Sequence, residues 1–297
     1  MNVKDIYELD IGTVYENVDL SLYTTYKLKS IGRVLVIPKD LECLRKLVNY
    51  IKINNIKYKI LGNGSNLVFT SSLYDGILIK LNNFCELEIN EDNVLVGAGY
   101  NLMKLSLKTS MLGLSGLEFA TGIPGSVGGA VYMNAGAYNS SISDVLESVN
   151  VLTPDLEIKE LKNEDLDFSY RTSMFQKKDN YICLNVKFKL SFGKKEEIMD
   201  VVNKRRERRF STQPLEYPNA GSVFRNPVDD YAGRLIEEIG YKGKIIGGAQ
   251  VSLKHANFII NLGNATGEDI KNLIFEIKEK IKEKYDIDLK VEQEFVE

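Results

Sequence analysis

The chain has 297 residues, 44% of them hydrophobic and 27% charged, with a formal net charge of -3 at pH 7. That length suggests about two domains, and that composition a globular chain with a sizeable core. The acidic balance argues against a general nucleic-acid or membrane binder, which needs a basic surface to neutralise phosphates, and no stretch approaches the roughly 20 apolar residues of a membrane span.

Met1 to Asp10 alternates charged and apolar residues and lacks a signal-peptide core. Asp40 is a predicted N-cap for a helix with Leu41, Leu44, Leu47, Val48 and Ile51 on one face. A short strand is predicted at Tyr58 to Leu61. A glycine turn follows, and apolar residues resume at Leu67 to Phe69. Ile77 to Leu81 is another strand, Leu87–Ile89 and Val94–Val96 form a hairpin, and Leu102, Leu105 and Leu112 mark a helix. Gly113 to Gly136 reads as a functional loop. Strands are predicted at Val149–Thr153, Glu157–Leu161 and Tyr181–Leu190, then a charged helix from Lys194 to Arg209. Beyond it lie a short helix at Ala232–Ile239, strands at Ala249–Leu253 and Phe258–Leu262, a long amphipathic helix capped by Thr266, and a last strand from Leu289 to Val296. The expected class is α+β.

Six segments carry candidate chemistry. In Gly62-Asn63-Gly64-Ser65-Asn66, successive N–H groups of a glycine turn suit a pyrophosphate, although an ordinary tight turn reads the same way. It is no Rossmann fingerprint, since Leu67 stands where the third glycine belongs and the turn enters a strand. Gly122-Ile123-Pro124-Gly125-Ser126-Val127-Gly128-Gly129-Ala130, with Asn134-Ala135-Gly136 close behind, suits backbone packed against a flat ring or a diphosphate. Arg171, in Ser169-Tyr170-Arg171-Thr172-Ser173, offers a planar fork for a carboxylate or phosphate. Ser222 follows Gly221 with small neighbours that would let something approach its hydroxyl, although a serine after glycine is usually a turn residue. His255 and Asn257 follow Gly247-Gly248-Ala249-Gln250 and could line a polar site or simply brace the fold. The sixth segment, Leu289 to Glu294, offers Glu292 and Glu294. The basic run Lys204 to Arg209 is interrupted by Glu207 and reads as a solvated helix face. Cys43, Cys85 and Cys183 are spaced for neither zinc nor a disulfide framework; they read as reduced, mostly buried thiols, and no metal site is expected.

Taken together and in this order, these segments resemble the UDP-N-acetylenolpyruvoylglucosamine reductase family, from about Thr25 to Phe295, in the shorter form without the tyrosine-loop insertion. The resemblance implies an FAD-binding fold of the vanillyl-alcohol-oxidase type in two subdomains plus a C-terminal α+β substrate-binding domain. The corresponding boundaries are an N-terminal segment at 1–20, an FAD-binding region at 21–205 (subdomains of about 21–82 and 83–205), a substrate domain at 206–288 and a returning strand at 289–297. It also implies NADPH-dependent, FAD-mediated reduction of UDP-N-acetylglucosamine enolpyruvate to UDP-N-acetylmuramate for peptidoglycan synthesis in the cytoplasm. FAD would be non-covalent, NADPH a co-substrate, and neither nucleic acid nor membrane a partner.

Under this resemblance Arg171 stabilises developing charge, Ser222 is the proton donor and Glu292 the catalytic carboxylate, with Glu294 its rival because the family's usual Pro-Glu-Val-Arg ending is here Val291-Glu292-Gln293-Glu294. An ionised Glu292 would repel a dianionic substrate, so a protonated Glu292 is expected in the complex. The two glycine segments are the expected FAD cradles, and the Arg171 and Ser222 side chains are expected to converge on the flavin. Tyr170, Arg225, Asn226, Arg234, Gln250, His255 and Asn257 are the candidate substrate contacts. Two rivals remain at this point: another FAD oxidase or dehydrogenase, which has no reason to carry Asn219 to Pro227 as they stand, and a non-catalytic nucleotide-sugar binder, which needs no flavin.

Overall fold

The computed structural model describes residues 3–178 and 180–297; Met1, Asn2 and Asp179, the last inside the Lys177–Asn180 connection, lie outside the described residues. Helices and strands are mixed throughout, as the α+β expectation requires. The chain divides into two compact units, each assembled from separate stretches. The first comprises Met1–Tyr15, Val34–Asn63 and Gly76–Arg208, the second Glu16–Arg33, Gly64–Asp75 and Arg209–Glu297. A four-stranded sheet runs in the order Gly12–Asp19, Ile31–Pro38, Leu73–Ile79, Tyr58–Ile60. The first two of these strands escape sequence reading. Gly12–Asp19 is mostly solvent-facing and has no apolar alternation, while Ile31–Pro38 carries Gly32 and Arg33 ahead of its buried Val34–Val36 run.

In the first unit the helix Leu41–Ile53 starts where its cap predicts: the Asp40 carboxylate accepts from the Cys43 N–H at 2.9 Å. Its buried stripe of Cys43, Leu44, Leu47, Val48 and Ile51 joins the core. An antiparallel five-stranded sheet follows the order Ile158–Lys162, Leu146–Leu152, Ile182–Lys189, Asn93–Gly97, Leu87–Asn90. Its central strands bury Val149, Val151, Val186, Phe188, Val94 and Val96. The Gly113–Gly136 stretch departs from the expected loop. It contains a 3-10 helix at Glu118–Gly122 and an α-helix at Val127–Tyr132. Glycine disfavours a helix intrinsically. Here burial of Val127, Ala130 and Val131, together with Ser126 capping the Gly129 N–H, outweighs that preference.

The second unit holds an antiparallel sheet of Ile245–Ile246, Ala249–Val251 and Ile259–Asn261, and the helices Ala232–Glu238 and Gly267–Tyr285. The long helix opens on a capping box between Thr266 and Asp269 and buries Ile270, Leu273, Ile274, Ile277 and Ile281, a helical period. Tyr26, Leu28 and Val68 share its core. The expected terminal strand is shorter than predicted. Only Glu294–Val296 is a strand, parallel to Leu67–Phe69, while Val291 forms a single bridge to Phe224. The segment changes partner between these contacts, so neither pairing runs over the whole of 289–296. Among the described residues no helix is long and apolar enough to cross a membrane.

Candidate active site

The glycine turn Gly62 to Asn66 is shaped by its surroundings. Gly64 sits at φ +60°, where a Cβ would stand 2.4 Å from the Tyr23 carbonyl oxygen. Its own carbonyl accepts from the Thr25 N–H. Among the described residues the N–H groups of Gly62, Asn63, Gly64 and Ser65 donate to no protein acceptor. Behind the turn lies Lys80, almost wholly buried, whose Nζ donates to the Gly62 carbonyl at 2.7 Å. Burial holds its pKa below the usual lysine range.

The second glycine segment reaches the first: a Cβ on Gly62 would lie 2.7 Å from Ser126 Oγ. The two ends of this segment behave differently. The N–H groups of Val127, Gly128, Gly129 and Ala130 are consumed internally, by Tyr100 O, Ala98 O, Ser126 Oγ and Ser126 O. Gly128 is small for an internal reason as well, since a Cβ there would stand 2.9 Å from the Ala98 Cβ. By contrast, Gly125 and Ser126 keep N–H groups that donate to no described residue. The open donors therefore lie on the turn before the short helix, not in its first turn. Gly122 closes the 3-10 helix, and Ile123 and Pro124 carry the chain from it into this turn.

The residues after that helix hold Arg171. The Tyr132 carbonyl accepts from Ser173 Oγ and Gln176 Nε2, Asn134 Nδ2 donates to Ser169 O, and Arg171 Nη2 donates to Gly136 O at 2.7 Å. Ala135 is tied back to Ala130 O. Arg171 itself is at φ +57°, in a turn closed by reciprocal Ser169–Thr172 hydrogen bonds, and its guanidinium lies 5.0 Å from the ring centre of exposed Tyr170.

In the second unit, residues 220–225 and 289–294 run side by side. The Glu292 N–H donates to Val223 O at 2.8 Å, and the Arg225 N–H to Lys290 O. Buried Gln293 donates to the Ala220 and Gly221 carbonyls and accepts from Tyr26 OH. The other edge of this segment meets Asn66, whose Nδ2 donates to Glu292 O and whose carbonyl accepts from the Glu294 N–H. Three parts of the chain, near residues 66, 222 and 292, are thus fastened together. The Ser222 hydroxyl, half-buried, bonds to no described residue.

Residues 213–296 match the UDP-N-acetylenolpyruvoylglucosamine reductase C-terminal domain family, and residues 32–162 match the FAD binding domain family. The UDP-N-acetylenolpyruvoylglucosamine reductase of Bacillus licheniformis is 46% identical over 99% of this chain and 97% of its own length. The chain belongs to the UDP-N-acetylenolpyruvoylglucosamine reductase family. The Bacillus subtilis enzyme of the same name is 43% identical over 99% of this chain and 97% of its own. The solved reductase from Thermus caldophilus superposes with a TM-score of 0.82 at 34% identity, covering 96% of this chain and 98% of that one. The α+β chain therefore carries an FAD-binding fold of the vanillyl-alcohol-oxidase type, and it is a flavin-dependent oxidoreductase with FAD as cofactor and NADPH as reductant, acting on a small-molecule substrate.

The residues of this reductase fit FAD. Unspent N–H donors at Gly62, Asn63, Gly64, Ser65, Gly125 and Ser126 suit a diphosphate. Lys80 was invisible to motif reading. Its only signal is a lysine inside the apolar run Ile77-Leu78-Ile79-Lys80-Leu81. Replacing it with methionine should weaken FAD binding roughly tenfold or more, because a charged hydrogen bond orienting the turn is lost. Fluorescence titration of the apoprotein checks this, and unchanged affinity would show that Lys80 does not shape the turn.

The other candidates are spread over the second unit. Exposed Asn226 accepts from the Ala232 N–H at the start of a helix, and Gln250 Nε2 donates to Gly243 O. Arg234 is clamped between Asp230 and Glu238, and its hydrogen bond to Asp230, with that of the Tyr231 N–H, draws the Asp230 carboxyl down to about 2. Asn257 spends its side chain on the Phe224 backbone, at N–H and carbonyl alike. His255 Nδ1 accepts from the Asn257 N–H, and burial, aided by the Lys242 charge, holds its pKa below the ordinary value. A histidine depressed in this way contributes stability above the unfolded value of about 6.5 and loses it as pH falls through the folded value. The stability advantage of wild type over His255→Gln should therefore shrink between about pH 7.5 and pH 5. Chemical denaturation checks this, and NMR of the chain's single histidine gives its pKa directly. A constant difference would show that His255 does not titrate in that window. Of the thiols, Cys43 and Cys183 are buried and Cys85 is exposed; all are free, and burial pushes Cys183 up to about 12.

Proposed function

We propose that Arg171, Ser222 and Glu292 carry the chemistry of this reductase, the NADPH-dependent, FAD-mediated reduction of UDP-N-acetylglucosamine enolpyruvate to UDP-N-acetylmuramate. The observation that supports it most is the fastening of Glu292 to Val223, next to Ser222, and to Asn66 of the glycine turn. Bound FAD supplies hydride carriage from NADPH to the enolpyruvyl double bond. Hydride added at the substrate β-carbon leaves negative charge on the α-carbon, spread into the carboxylate. Arg171, a fixed cation tied to Gly136 O, stabilises that charge. The Ser222 hydroxyl gives its proton to the α-carbon; so weak an acid serves because the carbanion is a strong base. Glu292 is favoured over Glu294 because its N–H bonds to Val223, whereas Glu294 pairs with Leu67 in the parallel strand pair.

Residues 21–205 are assigned to FAD, 206–288 to the substrate and 289–297 to returning Glu292. The family matches at 32–162 and 213–296 support this division. Tyr170, Arg225, Gln250 and His255 remain candidates for the substrate. Its diphosphate and NADPH are cytosolic metabolites, so the enzyme is placed in the cytoplasm, with neither nucleic acid nor membrane as partner. FAD is held without a covalent bond, since the single histidine lies outside the FAD-assigned residues and Cys43, Cys85 and Cys183 lie outside the glycine segments.

The test is an anaerobic titration of purified protein. NADPH should bleach the bound flavin, and UDP-N-acetylglucosamine enolpyruvate should restore its colour with stoichiometric UDP-N-acetylmuramate. Acid denaturation should release all FAD. Infrared difference spectra of Glu292→Gln against wild type should show a protonated Glu292 in the substrate complex; a carboxylate with a pKa near the usual value of about 4.3 would reject that part.

A further inference from the structure

We infer that Asn257 is a positioning residue for Ser222, acting through the Phe224 peptide and not by touching substrate. This rests on the reading of Ser222 as proton donor. Residues 220–225 form no regular strand: Ser222 and Phe224 each make a single bridge, to Phe258 and Val291. Gly221 before them has φ +76° and no side chain to pack, so that side is held only by hydrogen bonds of its backbone, from Gln293 to the Ala220 and Gly221 carbonyls and from the Gly221 N–H to Asn219. Phe224 is almost wholly buried, and its N–H and carbonyl would be costly if unpaired.

Asn257 answers both groups. Its Oδ1 accepts from the Phe224 N–H at 2.9 Å and its Nδ2 donates to the Phe224 carbonyl at 2.8 Å. Its own carbonyl accepts from the Val223 N–H at 2.9 Å. The side chain therefore imitates an adjoining strand on the edge of Phe224 away from Val291, and it fixes the peptide planes that follow Ser222. Asn257 is 4% exposed, so its amide is committed to this task and turned away from any ligand. Its N–H in turn rests on His255 Nδ1, which requires the neutral Nε2–H tautomer. Proton delivery to a carbon is sensitive to misplacement by about 1 Å, so loosening this clamp should act on the Ser222 step.

The experiment is a double-mutant cycle on the holoenzyme with the two half-reactions followed separately. Asn257→Ala should slow flavin reoxidation by substrate roughly 10- to 100-fold, leaving flavin reduction by NADPH and substrate affinity within about twofold. In a Ser222→Ala background the same substitution should add less than about threefold, because the group it positions is gone. Asn257→Asp, which keeps the acceptor for the Phe224 N–H, should fall between wild type and Asn257→Ala and serves if the alanine variant does not fold. A full multiplicative effect in the Ser222→Ala background, or loss of substrate affinity, overturns the positioning role alone. If Ser222→Ala leaves reoxidation untouched, the proton-donor reading fails and this inference falls with it.

Discussion

Ser222→Ala should leave flavin reduction by NADPH intact and slow reoxidation by the enolpyruvyl substrate roughly 10²- to 10⁴-fold, the usual worth of a positioned acid. That corresponds to about 3–5 kcal/mol of barrier. The expectation is large because the Ser222 hydroxyl is spent on no described protein partner while its surroundings are held on every side, by Gln293, Glu292 and Asn257. Such an arrangement keeps a donor ready without neutralising it. The substitution removes one oxygen from a half-buried site and breaks no protein hydrogen bond, so stability should change little. Stopped-flow measurement of each half-reaction decides the matter; equal slowing of both would contradict a role confined to proton delivery.

Gly64→Val should abolish retention of FAD through gel filtration, with the dissociation constant raised at least about 100-fold. Two costs combine. A left-handed backbone costs a residue with a Cβ about 1–2 kcal/mol, and a β-branched side chain is worse placed there than most. The Cβ would also stand 2.4 Å from Tyr23 O and 2.8 Å from Thr24 Cα, both backbone atoms unable to swing aside. The turn must then move, and with it the N–H groups of Gly62, Asn63 and Ser65. Flavin absorbance per protein and isothermal titration of the apoprotein measure the loss. A yellow variant with full flavin content would show that the turn does not hold the cofactor.

Local chemistry was the legible part of this sequence. Asp40 and Thr266 announce their helices because a cap needs only residues three positions apart, and Ile270 to Ile281 declare a buried face by period alone. The Gly113–Gly136 stretch reads as a loop but holds a helix at Val127–Tyr132, because propensity is weak beside the burial of Val127, Ala130 and Val131. The expected strand Leu289–Val296 shortens to Glu294–Val296 because the switch of partner from residues 220–225 to Leu67–Phe69 leaves no mark in the pattern. In the site, the glycine turn could be read as an anion nest from its residues. The roles proposed for Arg171, Ser222 and Glu292 rest on family resemblance, since nothing in their local sequence distinguishes them from turn and surface residues. Lys80 and the Asn257 clamp needed coordinates, because each acts on a backbone far away in the chain or hidden from motif reading.

The second unit draws its core from three separated stretches, with Tyr26, Leu28 and Val68 packed among residues after Ala220. Closing such widely spaced contacts slows folding, since chain entropy is lost before the contacts repay it. The early stretches must therefore wait, unpaired and apolar, until more than a hundred further residues have been made. A fragment beginning at residue 209 would lack part of its own interior, so this part of the reductase should be recoverable by co-expression with the earlier residues and not by excision.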